Sequence, residues 1–319
     1  METCGIERKP TEAGDGGRGA GSGGGSGYGS GPDDRNCRGE MSDRELALKG
    51  IALRRKLLQV IHHAGAGHTG GGLSCLDILI VLYHRVLNVR PEAVDDPNRD
   101  RYVQSKGHSV EALYCVLADR GFFPESDLET LCRYRSPYVG HPTRHVRGIE
   151  MNTGALGHGL SICVGMALAA RLQDAPYRVF TLLGDGELAE GSVWEAAMAA
   201  AHYRLDNLVA ILDHNRLQIT GPTREVMCNE PLEDKWRAFG WTVRRVDGHD
   251  YAALTRALTD PPVDGRPTFV LADTVKGKGV SFMENVARWH HGVPSDEELA
   301  RALAELDAAE QRLRGEMPA

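Results

Sequence analysis

The sequence contains no C-x-x-C pair, although seven of its 319 residues are cysteines. An odd number of scattered cysteines fits neither a disulfide framework nor a cysteine-ligated zinc site. The first residues also lack the charged, apolar and small-residue segments that a secretory signal shows in that order. We therefore expect a reduced, cytoplasmic protein.

Long runs of one kind of residue are missing as well. There are 37 lysines and arginines against 44 acidic residues, a net charge of −7 without a basic block, so a nucleic-acid partner is not expected. The window 151–170 has no charged residue, but Asn152, His158, Ser161 and four glycines make it too polar to span a membrane. We expect a buried helix there and no membrane partner.

Glycine is concentrated near the start of the chain, where residues 14–31 contain eleven glycines in eighteen positions. Almost nothing in this stretch can be buried, so we expect residues 1–41 to form a disordered, glycine-rich tail. Ser42 and Glu45 have capping-box spacing before an apolar series of helical period, which predicts that order begins there. No second change of composition follows, and residues 42–319 are interpreted as one domain.

Helical and extended patterns alternate through this domain. Apolar strands separated by helices predict an α/β fold with a doubly wound, mostly parallel sheet and helices on both faces. The predicted strands cover 101–103, 178–183, 208–212, 242–246 and 268–272. The predicted helices cover 42–63, 73–87, 154–172, 192–203 and 251–258, with others beginning at 110 and ending at 239, a glycine-rich loop at 65–72, and a last helix capped by Ser295 and Glu298.

Polar residues stand directly after two consecutive strands. Gly184, Asp185 and Gly186 follow one strand, and Asn215 follows the next. In a right-handed strand-helix-strand unit both side chains reach the same sheet edge, together with the backbone carbonyl of Leu217. These oxygens suit Mg²⁺, and bare glycine amides suit a phosphate group. The alternative is two ordinary turns; the coupling across one unit favours a metal-bound diphosphate.

Several of the thirteen histidines lie on glycine-rich loops. Each of them, taken alone, is as readily a simple turn residue. Zinc is disfavoured, since none of the pairs has zinc-ligand spacing on a helix and no cysteine accompanies them. Imidazoles gathered at one sheet edge can instead donate hydrogen bonds and transfer protons, which suits a polyhydroxyl or carbonyl substrate. The histidines concerned are His68, His108, His141, His158, His290 and His291.

Two further signals are weaker. The basic loop that contains Lys276 follows a strand and is either a ligand for anionic groups or a solvated loop. Glu190 stands at the start of a helix, where the helix dipole favours a carboxylate.

Taken together, these motifs resemble the N-terminal half of transketolase, the diphosphate-binding module of thiamine diphosphate enzymes. The resemblance covers residues 42–294 and departs from the family at Ala155, where proline is frequent. The motifs that carry it are Gly67-His68-Thr69-Gly70-Gly71, Ser105-Lys106-Gly107-His108, Gly140-His141-Pro142, Thr153-Gly154-Ala155-Leu156-Gly157, Gly184-Asp185-Gly186-Glu187-Leu188-Ala189-Glu190-Gly191 and Asn215 to Ile219.

The resemblance implies a set of site residues. The metal ion, Mg²⁺ or Ca²⁺, is expected to be held by Asp185, Asn215 and the carbonyl of Leu217. The residues expected to contact thiamine diphosphate are Gly154, Leu156, Gly184, Asp185, Gly186, Glu187, Asn215, Ile219 and Lys276, with Gly154 and Leu156 beside its aminopyrimidine. The expected catalytic residues are His68, His108, His141 and His291, with His290 as the alternative to His291, and Glu190 is expected at a subunit contact.

The resemblance also implies a partner. In the family, a pyrimidine-binding domain follows this half and supplies the glutamate that activates the cofactor, whereas this sequence ends before such a domain. We therefore expect a C-terminal transketolase subunit that supplies the domain, in an α2β2 assembly. The expected reaction is transfer of a two-carbon ketol unit from a ketose or ketose phosphate to an aldehyde. The alternatives are decarboxylation of a 2-oxo acid with acyl transfer, and a non-catalytic paralogue.

Overall fold

The computed structural model describes residues 41–315, so all but the last residue of the predicted tail lies outside it. The strands of the described part form a five-stranded, all-parallel sheet in the order β1-β2-β3-β5-β4. They are β1 (Arg101–Gln104), β2 (Val179–Gly184), β3 (Leu208–His214), β4 (Thr242–Asp247) and β5 (Thr268–Asp273). The predicted fold class is confirmed.

One or two α-helices of the described part precede, separate and follow these strands. They are α1 (Asp43–Ala64), α2 (Thr69–Val81), α3 (Val110–Asp119), α4 (Gly159–Leu172), α5 (Gly191–His202), α6 (Thr223–Val226), α7 (Leu232–Ala238), α8 (Tyr251–Thr259) and α9 (Asp296–Gly315). Within residues 41–315, no helix combines the length and the apolar character that a membrane span needs.

Local signals explain where the first and last helices begin. The capping box predicted for α1 is present, because Ser42 accepts a hydrogen bond from the amide of Glu45 and the Glu45 carboxylate accepts one from the amide of Ser42. Gly65 ends α1 in the left-handed region, with φ +67°. Ser295 and Glu298 form the same reciprocal pair at the start of α9.

The sheet separates two apolar layers. Along β2, Phe180 and Leu182 pack into the layer that contains α1, α2, α3, α8 and α9, while Val179 and Leu183 pack into the layer of α4, α5 and α7. Successive side chains of a strand point to opposite faces, so a strand covered on both sides reads as a continuous apolar run. Burial on both faces is what makes the fold doubly wound.

Two predicted helix starts are wrong, and glycine is the reason in both cases. The predicted loop 65–72 ends early because Gly70 and Gly72 are already helical in α2. Close packing favours glycine there, since a Cβ on Gly70 would lie 2.9 Å from the backbone carbonyl oxygen of Trp289. The predicted helix 154–172 begins only at Gly159, because the preceding Gly157 has φ +85°, which ends any helical run.

Candidate active site

The carboxyl ends of β2 and β3 lie side by side, since Gly184 is in register with Asp213. Asp185 follows β2 directly and Asn215 follows β3. Both residues, together with Leu217, line one cleft of about 610 Å³. The parallel topology thus puts the three predicted metal-ligand residues on the same cleft.

Asp185 is nearly buried, with 5% of its surface exposed. Burial, and secondly the negative charge of Asp213, raise the pKa of Asp185 to about 7. Oδ1 of Asp185 accepts a hydrogen bond from the amide of Gly186 at 2.8 Å, and Oδ2 accepts one from the amide of Arg216. A bound cation would stabilise the charged carboxylate that burial disfavours.

Asn215 is held by a buried polar network beneath the cleft. Its Nδ2 lies 3.2 Å from Oδ2 of Asp213 and 3.3 Å from Oγ of Ser74, while its Oδ1 accepts a hydrogen bond from the amide of Leu217 at 3.1 Å. Burial acts to raise the pKa of Asp213, but the ion pair with Lys106 holds that pKa below its ordinary value. The charged Asp213 therefore orients the amide of Asn215.

The donor set at the cleft fits a hard cation. Among residues 41–315, no three His, Cys, Asp or Glu side chains are grouped as a metal site. The oxygen donors predicted for a metal at this cleft are the carboxylate of Asp185, the amide oxygen of Asn215 and the backbone carbonyl of Leu217. An all-oxygen set with few charges suits Mg²⁺, which keeps several positions for phosphate and water.

Glu187 ties together the loops around the cleft. It is buried, and its carboxylate accepts hydrogen bonds from the hydroxyl of Ser105, from the amide of Gly157 at 2.8 Å and from the amide of Gly184 at 3.0 Å. Burial raises the pKa of Glu187. Its oxygens are engaged by two loops and by the end of β2, so it acts here by holding together the segments that contain predicted cofactor contacts.

Five histidine rings form a cluster centred on His68. The ring of His68 lies 4.6 Å from that of His291, 5.3 Å from His108, 5.7 Å from His290 and 6.1 Å from His141, measured between ring centroids. The rings of His108 and His290 are stacked at 5.1 Å. Both candidates for the last histidine, His290 and His291, therefore belong to the cluster.

The environment of three rings of the cluster, those of His108, His141 and His290, disfavours charged imidazole. Burial, and secondly the charge of Lys106, lower the pKa of His108, and burial followed by Lys276 lowers that of His290 to about 3. Burial also lowers the pKa of His141. These rings are neutral at neutral pH, so each one offers one N–H donor and one acceptor nitrogen.

The loop that contains Gly154 passes close to the histidine cluster. Gly154 has φ +141°, and a Cβ on it would lie 2.7 Å from Cδ2 of His141. The neighbouring loop is equally close, since a Cβ on Gly107 would lie 2.8 Å from the amide nitrogen of Gly154. Leu156, on the same loop, is half-buried. Only glycine leaves room for His141 at this crossing.

The remaining predicted site residues differ in how far they are buried. Lys276 is buried and its Nζ lies 2.8 Å from Nδ1 of His290, whereas Ile219 and Glu190 are exposed. Reasoning from the sequence did not single out Lys106 or Asp213 as site residues. The signal available for both was a charged residue embedded in, or next to, an apolar strand.

The chain resembles known proteins over most of its length. Residues 49–311 match the family described as "Transketolase, thiamine diphosphate binding domain". The chain is 47% identical over 277 residues to the A subunit of apulose-4-phosphate transketolase from Phocaeicola vulgatus, in a match that covers 86% of the chain and 99% of the relative. It is 43% identical over 271 residues to the SqwG subunit of 6-deoxy-6-sulfo-D-fructose transketolase from a Clostridium species, covering 84% and 98%.

Solved structures show the same likeness. The transketolase from Leishmania mexicana matches with a TM-score of 0.76 and 26% sequence identity, over 86% of this chain. The match spans 45% of the length of that enzyme. Human transketolase is likewise matched over only 41% of its length, at 39% identity.

Proposed function

The chain belongs to the transketolase family, and its matching region is a thiamine diphosphate-binding domain; we propose that it is the N-terminal component of a two-chain transketolase. The proposed reaction moves a two-carbon ketol unit from a ketose to an aldehyde. The observation that carries this proposal is the histidine cluster, in which His290 contacts Lys276, a buried lysine on which the charges of Asp185 and Asp213 act. Imidazole rings can donate hydrogen bonds to, and accept them from, a substrate rich in hydroxyl and carbonyl groups.

The metal site is part of the proposal. Asp185, Asn215 and the carbonyl of Leu217 would hold Mg²⁺, or Ca²⁺, and the metal would bind the diphosphate of the cofactor. The raised pKa of Asp185 supports this, because a buried carboxylate gains most from a cation nearby. The backbone of Gly186, which has no side chain to keep a ligand away, and the ammonium group of Lys276 would contact the diphosphate oxygens.

Thiamine diphosphate, when bound, supplies a nucleophilic carbon for attack on the ketose carbonyl. The residues of this chain orient the substrate and move its protons. His108 and His290 are neutral, so their rings can donate hydrogen bonds to substrate oxygens without first becoming protonated. His68, at the centre of the cluster, and His141, at its exposed side, are placed to accept a proton from a hydroxyl group and return it.

A partner chain is the remaining part of the proposal. The relatives from Phocaeicola vulgatus and Clostridium are each named as a subunit of a transketolase, and this chain aligns with 98% to 99% of their length. We therefore propose a C-terminal subunit that supplies the pyrimidine-binding domain with its activating glutamate, in an α2β2 complex. The exposed Glu190 would lie at the contact between subunits.

Reconstitution tests the function directly. The full chain is purified with a candidate partner carrying a pyrimidine-binding domain, sought first in the neighbouring reading frame, and supplied with thiamine diphosphate and Mg²⁺. We expect two-carbon transfer from xylulose 5-phosphate to an aldehyde, and none by either chain alone. Activity on pyruvate in place of the ketose would contradict the proposal, as would a purified complex that binds no cofactor.

A further inference from the structure

Glu111 is a buried acid that the proposed reaction does not use. It lies in the first turn of α3, and its side chain is 1% exposed. Within the described residues, neither of its carboxylate oxygens has a hydrogen-bond partner. Burying a carboxylate without donors is unfavourable for folding, so stability does not explain why an acid stands at this position.

The nearest basic group to this carboxylate is the central ring of the histidine cluster. Oε1 of Glu111 lies 3.8 Å from Nδ1 of His68. Nδ1 of His68 is itself buried and has no hydrogen-bond partner among the described residues. Two unsatisfied groups of opposite character therefore face each other at a separation that a small side-chain movement would close to hydrogen-bond distance.

The backbone beside His68 is shaped to admit the carboxylate. Gly67 has φ +152°, and a Cβ on it would lie 3.0 Å from Oε1 of Glu111 and 2.8 Å from Cγ1 of Ile61. A side chain at residue 67 would thus fill the space into which the carboxylate projects. Glycine leaves this space open, and the loop that carries His68 passes directly over Glu111.

No other acid serves the cluster in this way. Among the ion pairs within 4 Å in residues 41–315, the one that involves a histidine of the cluster is His68 with Glu111, and His290 is hydrogen-bonded instead to Lys276. Glu111 is therefore the single counter-charge that the described structure places against these rings.

We propose that Glu111 is a positioning residue for His68: its carboxylate accepts the Nδ1 proton, which leaves Nε2 of His68 as the proton acceptor on the substrate side. The inference rests on the proposed function, because only there does the choice of nitrogen matter for the reaction. The same arrangement stabilises the imidazolium that forms when Nε2 takes a proton from a hydroxyl group. Glu111 itself touches no substrate.

Nuclear magnetic resonance of the ring nitrogens tests this on the full chain, without cofactor or partner. The His68 signals are identified by their absence from His68→Asn, and the tautomer is read from the ¹⁵N shifts of the neutral ring. We expect the proton on Nδ1 in the natural chain, the same tautomer in Glu111→Gln, which keeps an acceptor oxygen, and loss of that preference in Glu111→Met. The exposed Glu129→Met is the matched control and should leave the tautomer unchanged.

Stability separates positioning from a structural role. Methionine is close to glutamate in length and carries no charge, so Glu111→Met should unfold at the same temperature as the natural chain or a higher one. In the reconstituted complex its kcat should fall by about 10²- to 10⁴-fold with unchanged cofactor affinity. A fall in thermal stability together with an unchanged tautomer would overturn the proposal.

If the methionine variant does not fold, the measurement on the natural chain still tests the proposal. A proton on Nε2 of His68 in the natural chain would overturn the proposal whatever the variants do. If the complex transfers no ketol unit at all, the proposed function fails, while the tautomer measurement still stands by itself.

Discussion

The ammonium group of Lys276 lies 2.8 Å from Nδ1 of His290. Burial, and secondly the positive charge of Lys106, lower the pKa of Lys276 to about 8. The negative charges of Asp185 and Asp213 act on Lys276 in the opposite direction. One buried lysine thus connects the carboxylate edge of the sheet with the histidine cluster. The two halves of the proposed active site are therefore coupled electrostatically.

The lowered pKa of Lys276 gives cofactor binding a pH dependence. Lys276 loses its proton as pH rises through about 8, so the affinity of the reconstituted complex for thiamine diphosphate should fall by up to about tenfold per pH unit above that point. Lys276→Arg stays protonated and should remove this part of the decline. Calorimetric titration across this pH range compares the two, and parallel curves would contradict the assignment.

Loss of the Asp185 carboxylate should abolish metal-dependent binding. Asp185→Ala removes the charged oxygen from the proposed ligand set, and we expect the affinity for thiamine diphosphate in the presence of Mg²⁺ to fall by more than about 100-fold. The exposed Asp95→Ala, with no partner in the cleft, is the control and should bind as the natural complex does. Calorimetry that finds equal affinity for the Asp185 variant would exclude this residue as a metal ligand.

Asp185 should also destabilise the metal-free chain at neutral pH. Its pKa in the folded chain, about 7, lies above its ordinary value of 3.8, so the folded state binds a proton more tightly than the unfolded state does. Its contribution to the free energy of unfolding therefore declines as pH rises from about 4 to about 7, by a few kcal/mol. Asp185→Asn should lack this decline when urea unfolding is measured at both ends of the range; identical slopes for the two proteins would count against it.

A methyl group at Gly154 should displace His141. The added Cβ would lie 2.7 Å from Cδ2 of His141, at a backbone φ of +141° that alanine rarely adopts. We expect Gly154→Ala to lower the kcat of the complex at least tenfold. Gly165→Ala is the matched control, because nothing lies within 4 Å of its added Cβ and helix α4 gains up to about 1 kcal/mol from alanine. Equal kcat for both variants would show that the His141 position is not critical.

The loop that carries Lys276 depends on a buried ion pair outside the site. Asp77 accepts hydrogen bonds from Arg54 at 2.6 Å and 3.1 Å and from the hydroxyl of Tyr251 at 2.6 Å, and Nε of Arg54 holds the carbonyl of Lys278 at 3.1 Å. Asp77→Ala leaves the Arg54 charge buried and should cost about 3 to 5 kcal/mol in the free energy of unfolding.

The exposed ion pair of Arg55 provides the comparison for that variant. Asp307→Ala breaks a pair in which the aspartate side chain is 61% exposed, and it should cost less than about 1 kcal/mol. Chemical denaturation measures both variants. A cost for Asp77→Ala that is no greater than for Asp307→Ala would show that the buried pair does not anchor the loop.

Much of the fold could be predicted because its signals are local. The capping boxes at Ser42 and Ser295 involve residues three positions apart, and the apolar runs of β2 and β3 are continuous in sequence. The helical state of Gly70 could not be predicted, because it depends on packing: a Cβ there would lie 2.9 Å from the carbonyl oxygen of Trp289, which belongs to a segment far along the chain. Glycine's low helix propensity is overridden by that contact.

The sequence by itself determined which residues stand at the ends of the strands, since the order of strands and helices in a parallel fold brings Asp185 and Asn215 to one edge. Only the tertiary structure decided the chemical state of those residues and their neighbours. Whether His290 is neutral, whether Asp185 retains a proton and whether Glu111 faces His68 all depend on burial and on charges contributed by distant segments. These effects of burial and charge act through space over a few ångströms, and the spacing of residues along the chain does not reveal them.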